Sequence, residues 1–260
     1  MDFEVIATGL QFPEGPIAMP DGSIVLVEVA RGTLSRVWNG RTEAIADLGG
    51  GPNGAALGPD GAVYVCNNGG FEWREISGFL APVRAAPDYT TGRIERVDLA
   101  TGRYERIYES FDGERLGGPN DIVFDRTGGF WFTDMGKSFA RQRDHSCLFY
   151  ARPDGSHLHR AVHPVVSFNG VGLSPDEKVV YCNDTETQKL WAFDITERAG
   201  WRRSRSGGAG ASSARCRDTS CWTASRWKRT ATCARRRCST AASPSSSRMA
   251  RTSTWRCRIR

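Results

Sequence analysis

One pattern constrains this chain more than any other. A polar opener, a turn seven residues later and a β-rich run straight after it occur four times in order. Glu14-Gly15-Pro16 leads to Asp21-Gly22 and then to Ser23-Ile24-Val25-Leu26-Val27. Asn53-Gly54 leads to Asp60-Gly61 and Ala62-Val63-Tyr64-Val65, and Asn120-Asp121 leads to Thr127-Gly128 and Phe130-Trp131-Phe132. Asn169-Gly170 leads to Asp176-Glu177 and Lys178-Val179-Val180-Tyr181. A strand, a turn of the Asp-Gly type and a returning run of β-branched and aromatic residues make a hairpin. Further strand-like runs at 92–98 and 189–194 fill the intervals, so each unit holds about four strands. The openers lie 39, 67 and 49 residues apart, and the longest interval contains a Pro/Gly-rich stretch at 69–91 that reads as a loop. Four-stranded units at intervals of about 40–50 residues predict an all-β chain folded as a β-propeller.

The openers also carry the functional hint. Inner strands of a propeller line one central channel, so equivalent positions in successive blades converge there. A Glu and three Asn at one such position form a ring of oxygen donors. Hard cations such as Ca²⁺ take about six to eight oxygen ligands, water included. The bland alternative is that Asn and Gly before a strand only serve a turn with positive φ. Four openers in register, one of them anionic, favour the ring.

Composition divides the chain. Residues 1–199 hold 19 Lys and Arg against 28 Asp and Glu, a net of −9. Residues 200–260 hold 16 Lys and Arg against Asp218 alone, a net of +15. That last segment has no Val, Leu, Phe or Tyr, Ile259 is its one Ile, and it carries 12 Ser and 7 Thr. Such a stretch cannot bury enough apolar surface to offset its chain entropy. The expected organisation is a propeller body at 1–199 and a basic Ser/Arg-rich tail at 200–260. Five of the eight cysteines lie in the tail, while Cys66, Cys147 and Cys182 sit in strand-like runs of the body and read as small buried thiols. No Cys-x-x-Cys pairing suggests a zinc site, and His145, His157, His159 and His163 show no dyad spacing. No apolar run is long enough to span a membrane. The start, Met1-Asp2-Phe3-Glu4, lacks the basic and apolar regions of a secretory signal, so a cytoplasmic location is expected.

Phe12-Pro13-Glu14-Gly15-Pro16, Gly118-Pro119-Asn120-Asp121 and Ser167-Phe168-Asn169-Gly170 resemble the gluconolactonase/senescence-marker-protein (regucalcin) family of six-bladed propellers over about residues 5–196. The resemblance implies a divalent-metal-dependent hydrolase of sugar lactones. It implies Glu14, Asn120 and Asn169 as metal ligands, with Asn53 as a channel-side contact. Ca²⁺ is the first expectation for the ion, with Mg²⁺, Mn²⁺ or Zn²⁺ as alternatives. The implied chemistry is polarisation of the lactone carbonyl by the metal while a carboxylate activates water. Asp121 and Asp184 are the candidate carboxylates. Substrate choice would fall to the stretch at 69–91 and its border, with Asn53, Asn68, Trp73 and Arg74 as substrate-binding candidates.

The family pattern calls for one more acidic opener near position 220, and the tail reads Cys221-Trp222-Thr223-Ala224-Ser225-Arg226-Trp227-Lys228 there. The genetic code offers a test. Trp is TGG and Thr begins AC, so a frame starting at the third base of each codon spells Asp across Trp222/Thr223. The same frame forces Leu across Cys221/Trp222 and Glu across Trp227/Lys228. It permits Asp-Gly across Arg229 to Ala231, which restores the seven-residue interval. The tail therefore reads as a frameshifted translation of further blades, with the shift between 196 and 217. About four of six blades are recognisable, and impaired activity is expected. Two other classes compete. Nucleic-acid binding through the basic tail with Trp201, Trp222, Trp227 and Trp255 is disfavoured, because no RNA-binding motif accompanies it. A non-catalytic metal-binding or scaffold propeller remains the other alternative.

Overall fold

The structure, a computed structural model, describes residues 4–195 and 212–215. Among these residues there is no helix. The strands form four antiparallel four-stranded sheets, each a meander running outward from the strand that carries an opener. Blade 1 is β1 (Pro13–Ala18), β2 (Ile24–Glu28), β3 (Thr33–Trp38) and β4 (Arg41–Asp47). Blade 2 begins with β5 (Pro52–Leu57) and β6 (Val63–Asn67). It then extrudes a separate hairpin, β7 (Phe71–Ile76) and β8 (Phe79–Ala85), before closing with β9 (Arg93–Val97) and β10 (Tyr104–Tyr108). A short hairpin, β11 (Ser110–Phe111) and β12 (Glu114–Arg115), precedes blade 3. That blade is β13 (Pro119–Phe124), β14 (Phe130–Asp134), β15 (Ser146–Ala151) and β16 (Leu158–Val165). Blade 4 is β17 (Phe168–Leu173), β18 (Val179–Asp184), β19 (Lys189–Asp194) and β20 (Ser212–Arg215).

The repeat read from the sequence is the blade. Its turn uses one backbone device throughout: Gly22, Gly61, Gly128 and Glu177 occupy the same place and all have positive φ, 84°, 80°, 78° and 54°. Three use glycine, which takes that conformation without strain; Glu177 does not. The stretch 69–91, expected to be a loop, is instead built on the paired strands β7 and β8, with Phe71 opposite Ala85 and Ile76 opposite Phe79. Its Pro and Gly residues had masked two runs of good strand formers. Of the segment 200–260, the described part is Ser212–Arg215, which pairs with β19 as Lys189↔Arg215 to Ala192↔Ser212. The rest of the expected tail, the position near 220 included, lies outside the described residues.

The core lies between the blades, which explains why the second strands read as continuous apolar runs. Val63 and Val65 of β6 pack with Val25, Val27 and Leu34 of blade 1. Tyr64 and Cys66, on the opposite face, pack with Ile122, Phe130 and Phe132 of blade 3. β14 repeats the device, with Trp131 joining Leu148, Phe168, Val180 and Cys182 toward blade 4. The three body cysteines are free and buried, as expected. This stacking sets β1 beside β5, β5 beside β13 and β13 beside β17, so the four opener strands line up as neighbours.

Candidate metal and lactone site

Every opener falls at the same irregularity. Pro13, Pro52, Pro119 and Phe168 pair with the last residue of their second strand, and the register then shifts before pairing resumes at Ile17, Ala55, Ile122 and Val171. Asn53, Asn120 and Asn169 are the first residues inside that bulge, whereas Glu14 still pairs with Val27 and is the last residue before it. A bulge re-aims side chains and is common beside functional sites. None of the three Asn openers has positive φ, so a left-handed turn is not what places them.

The strand-end partners form a second buried ring: Glu28, Asn67, Asp134 and Asp184. Each holds the segment that enters its opener. Glu28 accepts from the Gln11 N–H at 2.9 Å, and Asn67 Oδ1 accepts from the Gly51 N–H at 2.9 Å. Asp134 accepts from the N–H groups of Gly117 and Gly118 at 2.7 and 2.6 Å. Asp184 accepts from Ser167 Oγ at 2.5 Å. Asp184 therefore belongs to a set that shapes the approach to the openers.

The openers are tied to one another through their neighbours. The backbone N–H of Asp121 donates to Thr133 Oγ1 at 3.2 Å, and the Thr133 hydroxyl donates to the carbonyl of Asn169. Asp121 Oδ2 accepts from the Val171 N–H at 2.9 Å, which links β13 to β17. On its other side Asp121 meets Gly54. A Cβ there would strike the Asn120 carbonyl and lie 2.6 Å from Asp121 Cα and 3.1 Å from Asp121 Oδ1. Asn120 is buried and turns its Nδ2 toward Met135 Sδ at 3.8 Å, so its amide oxygen faces away from the thioether. The Glu14 carboxyl is pushed up to about 7, by burial first and by the negative charge of Asp121 second. Glu14 and Asp121 are thus within each other's field although they come from blades 1 and 3.

The remaining sequence candidates divide. Asn53 is half-buried at the equivalent opener position. Asn68 is buried at the end of β6, and Trp73 packs on Phe12, just before the Glu14 opener, with ring centroids 5.1 Å apart. Arg74 is exposed on the other face of the hairpin and ion-pairs with Glu72 at 3.0 Å, so the structure does not bring it to the openers. Sequence reading missed Thr133 and Lys137. Both follow the Phe130–Phe132 run, and their signal was a polar residue in or beside a strand otherwise buried on both faces. A separate cavity of about 700 Å³, lined by Arg115, Asp144, His145, Cys147, Arg160 and His163 among others, contains none of the openers.

The SMP-30/gluconolactonase/LRE-like region matches residues 12–224. The chain belongs to this family. It is 25% identical over 216 residues to the gluconolactonase of Zymomonas mobilis, covering 74% of this chain and 54% of that protein. It is 28% identical over 197 residues to the lactonase drp35 of Staphylococcus saprophyticus, covering 75% and 54%. The chain thus spans about half the length of the curated relatives it matches. The solved gluconolactonase of Xanthomonas campestris superposes with a TM-score of 0.56 at 23% identity, over 72% of this chain and 60% of that one. Regucalcin of Agrobacterium tumefaciens, a calcium-binding protein, superposes with 0.55 at 17%, over 76% and 59%. At these identities the two structures establish the propeller fold.

Among the described residues, no group of three or more His, Cys, Asp or Glu is placed to hold a metal. The opener set is of another kind, one carboxylate with amide oxygens. Its chemistry suits a hard cation, and the raised carboxyl of the half-buried Glu14 is what a desolvated anion lacking a positive partner displays. The residues present fit such an ion.

Proposed function

We propose that this chain is a divalent-cation-dependent hydrolase of sugar lactones. The observation that carries the reading is Glu14: a carboxyl pushed up to about 7 beside Asp121, at the strand position that Asn53, Asn120 and Asn169 share on neighbouring strands. Glu14, Asn120 and Asn169 would hold the cation, with Ca²⁺ the first candidate. Such an ion supplies Lewis acidity toward the lactone carbonyl oxygen. The protein's own groups do the rest. Water bonds to the acyl carbon, the ring acyl–oxygen bond breaks, and the ring oxygen leaves with a proton to give the open hydroxy acid. Asp121, tied to β17 through the Val171 N–H, is the group for the proton that water loses. Asp184 holds the entry to β17 and so steadies Asn169. Asn53 and Trp73 border the mouth where a sugar ring would enter.

The tail is part of the same reading. Asp218, the one acid near position 220 in the frame as read, has Ser225-Arg226 rather than an Asp-Gly turn seven residues on, and the frame that gives an acidic opener with its turn points to a shift between 196 and 217. Turnover by the chain as read is expected to be low. Base uptake in a pH-stat with several aldonolactones, with and without chelator, tests the function on this chain and on one carrying the restored frame. Chelator-sensitive hydrolysis that is stronger in the restored chain is the expected result. Ca²⁺ binding without hydrolysis in either chain would favour a non-catalytic metal-binding propeller. Sequencing the gene checks the shift: an uninterrupted frame identical to that of close relatives would remove it.

A further inference from the structure

Lys137 lies in the loop between β14 and β15 and is 1% exposed, an unusual place for an ammonium group. Its Nζ donates to Asn68 Oδ1 at 2.9 Å and to the Gly70 carbonyl at 2.7 Å. It sits 3.8 Å from the ring centroid of Phe71 and 5.2 Å from that of Tyr89. Two oxygens and two aromatic faces satisfy a cation that water no longer reaches. The next residue adds a strut: the Ser138 carbonyl accepts from the Ala85 N–H at 2.8 Å. One loop of blade 3 thus grips both strands of the β7–β8 hairpin that blade 2 sends over the mouth. Next to Phe71, at a centroid distance of 5.8 Å, the same hairpin rests Trp73 on Phe12.

Asn68 is the second observation. Its Oδ1 is held twice, by Lys137 and by the Gly70 N–H at 2.9 Å, which fixes the orientation of the amide. Its Nδ2 is enclosed and has no hydrogen-bond partner among the described residues, in a side chain 2% exposed. A buried donor without a partner is destabilising, and such groups in native folds call for an explanation. The amide lies against Gly51, where a Cβ would come within 3.1 Å of Nδ2. Its Cβ faces Gly118. Those two residues lead directly into Asn53 and Asn120. The unused donor therefore sits between the approaches to two openers.

We propose that Lys137 is a positioning residue: it seats the β7–β8 hairpin and locks the Asn68 amide so that Nδ2 is the donor offered to a hydroxyl or ring oxygen of a polyhydroxylated ligand at the channel mouth. The inference rests on the lactonase reading and names the residues that hold the sugar side of its substrate. Lys137→Met keeps the aliphatic stem and removes both hydrogen bonds and the cation. Asn68→Asp keeps the shape and the acceptor for Lys137 but replaces the unused donor with an oxygen.

The test uses the full chain with Ca²⁺ and 1,5-anhydroglucitol, a ring that cannot be hydrolysed, followed by calorimetry and by hydrogen–deuterium exchange. Asn68→Asp weakens anhydroglucitol about tenfold while exchange over 71–85 stays as in the parent. Lys137→Met weakens it by a similar factor and accelerates exchange over 71–85, with the Ca²⁺ affinity of both variants unchanged. Where Lys137→Met does not fold, Asn68→Asp decides. Unchanged anhydroglucitol affinity in Asn68→Asp, or unchanged exchange over 71–85 in a folded Lys137→Met, overturns the inference. A chain carrying the restored frame that binds neither Ca²⁺ nor anhydroglucitol overturns the lactonase reading itself, and this inference with it.

Discussion

The charge state of Glu14 yields a prediction that can be worked through to a number. A carboxyl titrating near 7 must lose its proton before it can hold a cation, so cation binding and proton release are linked. With one such proton, the apparent Ca²⁺ affinity falls about tenfold between pH 8 and pH 6, and about half a proton leaves per ion bound at pH 7. A carboxylate at its ordinary value of 4.5 would give no change over that range. Two variants separate the causes. Asp121→Asn removes the charge but leaves the burial, which is the larger cause, so the step moves to lower pH without reaching the ordinary carboxylate range. Glu14→Gln abolishes the proton release and weakens binding at every pH. Calorimetry of the full chain at pH 6, 7 and 8, in buffers of different ionisation enthalpy, reads affinity and proton count together. An affinity that is flat from pH 6 to 8, with no buffer-dependent heat, would refute the assignment of Glu14 as the cation's carboxylate.

Other expectations follow from the same contacts. Thr133→Val keeps the shape but leaves the Asn169 carbonyl and the Asp121 N–H without their hydroxyl, which should cost about 1–3 kcal/mol by urea denaturation and weaken Ca²⁺ binding as well. Gly54→Ala forces a methyl against the backbone of Asn120 and Asp121, and a loss of about 1–3 kcal/mol with a lowered Tm is expected; an unchanged Tm would mean that β5 and β13 are not in close contact. Burial pulls the Lys137 ammonium down to about 7 while Asp134 opposes the shift. A group whose folded value is depressed from 10.5 weakens the fold most below 7 and relieves that penalty as pH rises toward the unfolded value. Urea midpoints should therefore rise from pH 7 to pH 9.5 in the parent and rise less in Lys137→Met.

Much of the architecture was legible because it repeats. A polar residue and a turn seven positions apart recur four times, and the structure turns each recurrence into an inner strand, a left-handed turn residue and a buried second strand. The excursion at 69–91 was less legible because its Gly69-Gly70 and Gly78 break the pattern, although the strands on either side of Gly78 pair antiparallel with one register shift between Glu72 and Trp73. Glu14, Asn53, Asn120 and Asn169 could be found because register alone defines them. Arg74 could not be judged from position: one residue along a strand sends a side chain to the opposite face, and the Trp73 side is the one that faces Phe12. Thr133 and Lys137 have no repeat to announce them. Their roles come from contacts 36 and 69 residues away in sequence, with Asn169 and Asn68, and no local pattern encodes such pairings.

The two rings explain each other. Asn53, Asn120 and Asn169 leave the regular ladder, and Glu14 is followed by a bulge, only if the chain entering each is held in place, since a strand otherwise closes its hydrogen bonds with its neighbour. Glu28, Asn67, Asp134 and Asp184 do that holding, each by accepting from the segment two or three residues before its opener. They differ in identity because their surroundings differ. Asn67 also donates to Glu95 and the Gly49 carbonyl, whereas Asp134 takes three backbone N–H groups that suit a carboxylate. A carboxylate at the end of a second strand is therefore accounted for by local donors: three backbone N–H groups for Asp134, the Ser167 hydroxyl for Asp184, and the Gln11 N–H, Ser35 hydroxyl and Arg31 guanidinium for Glu28. The Glu14 carboxyl has only the Gly15 N–H to set against burial and the charge of Asp121, and this separates Asp184 from Glu14. Asp121 stands between the two, with one oxygen fixed by Val171 and its charge felt at Glu14. The position that can both answer a cation and take a proton is thus the one where fold and chemistry share a side chain, and substitution there should disturb both at once.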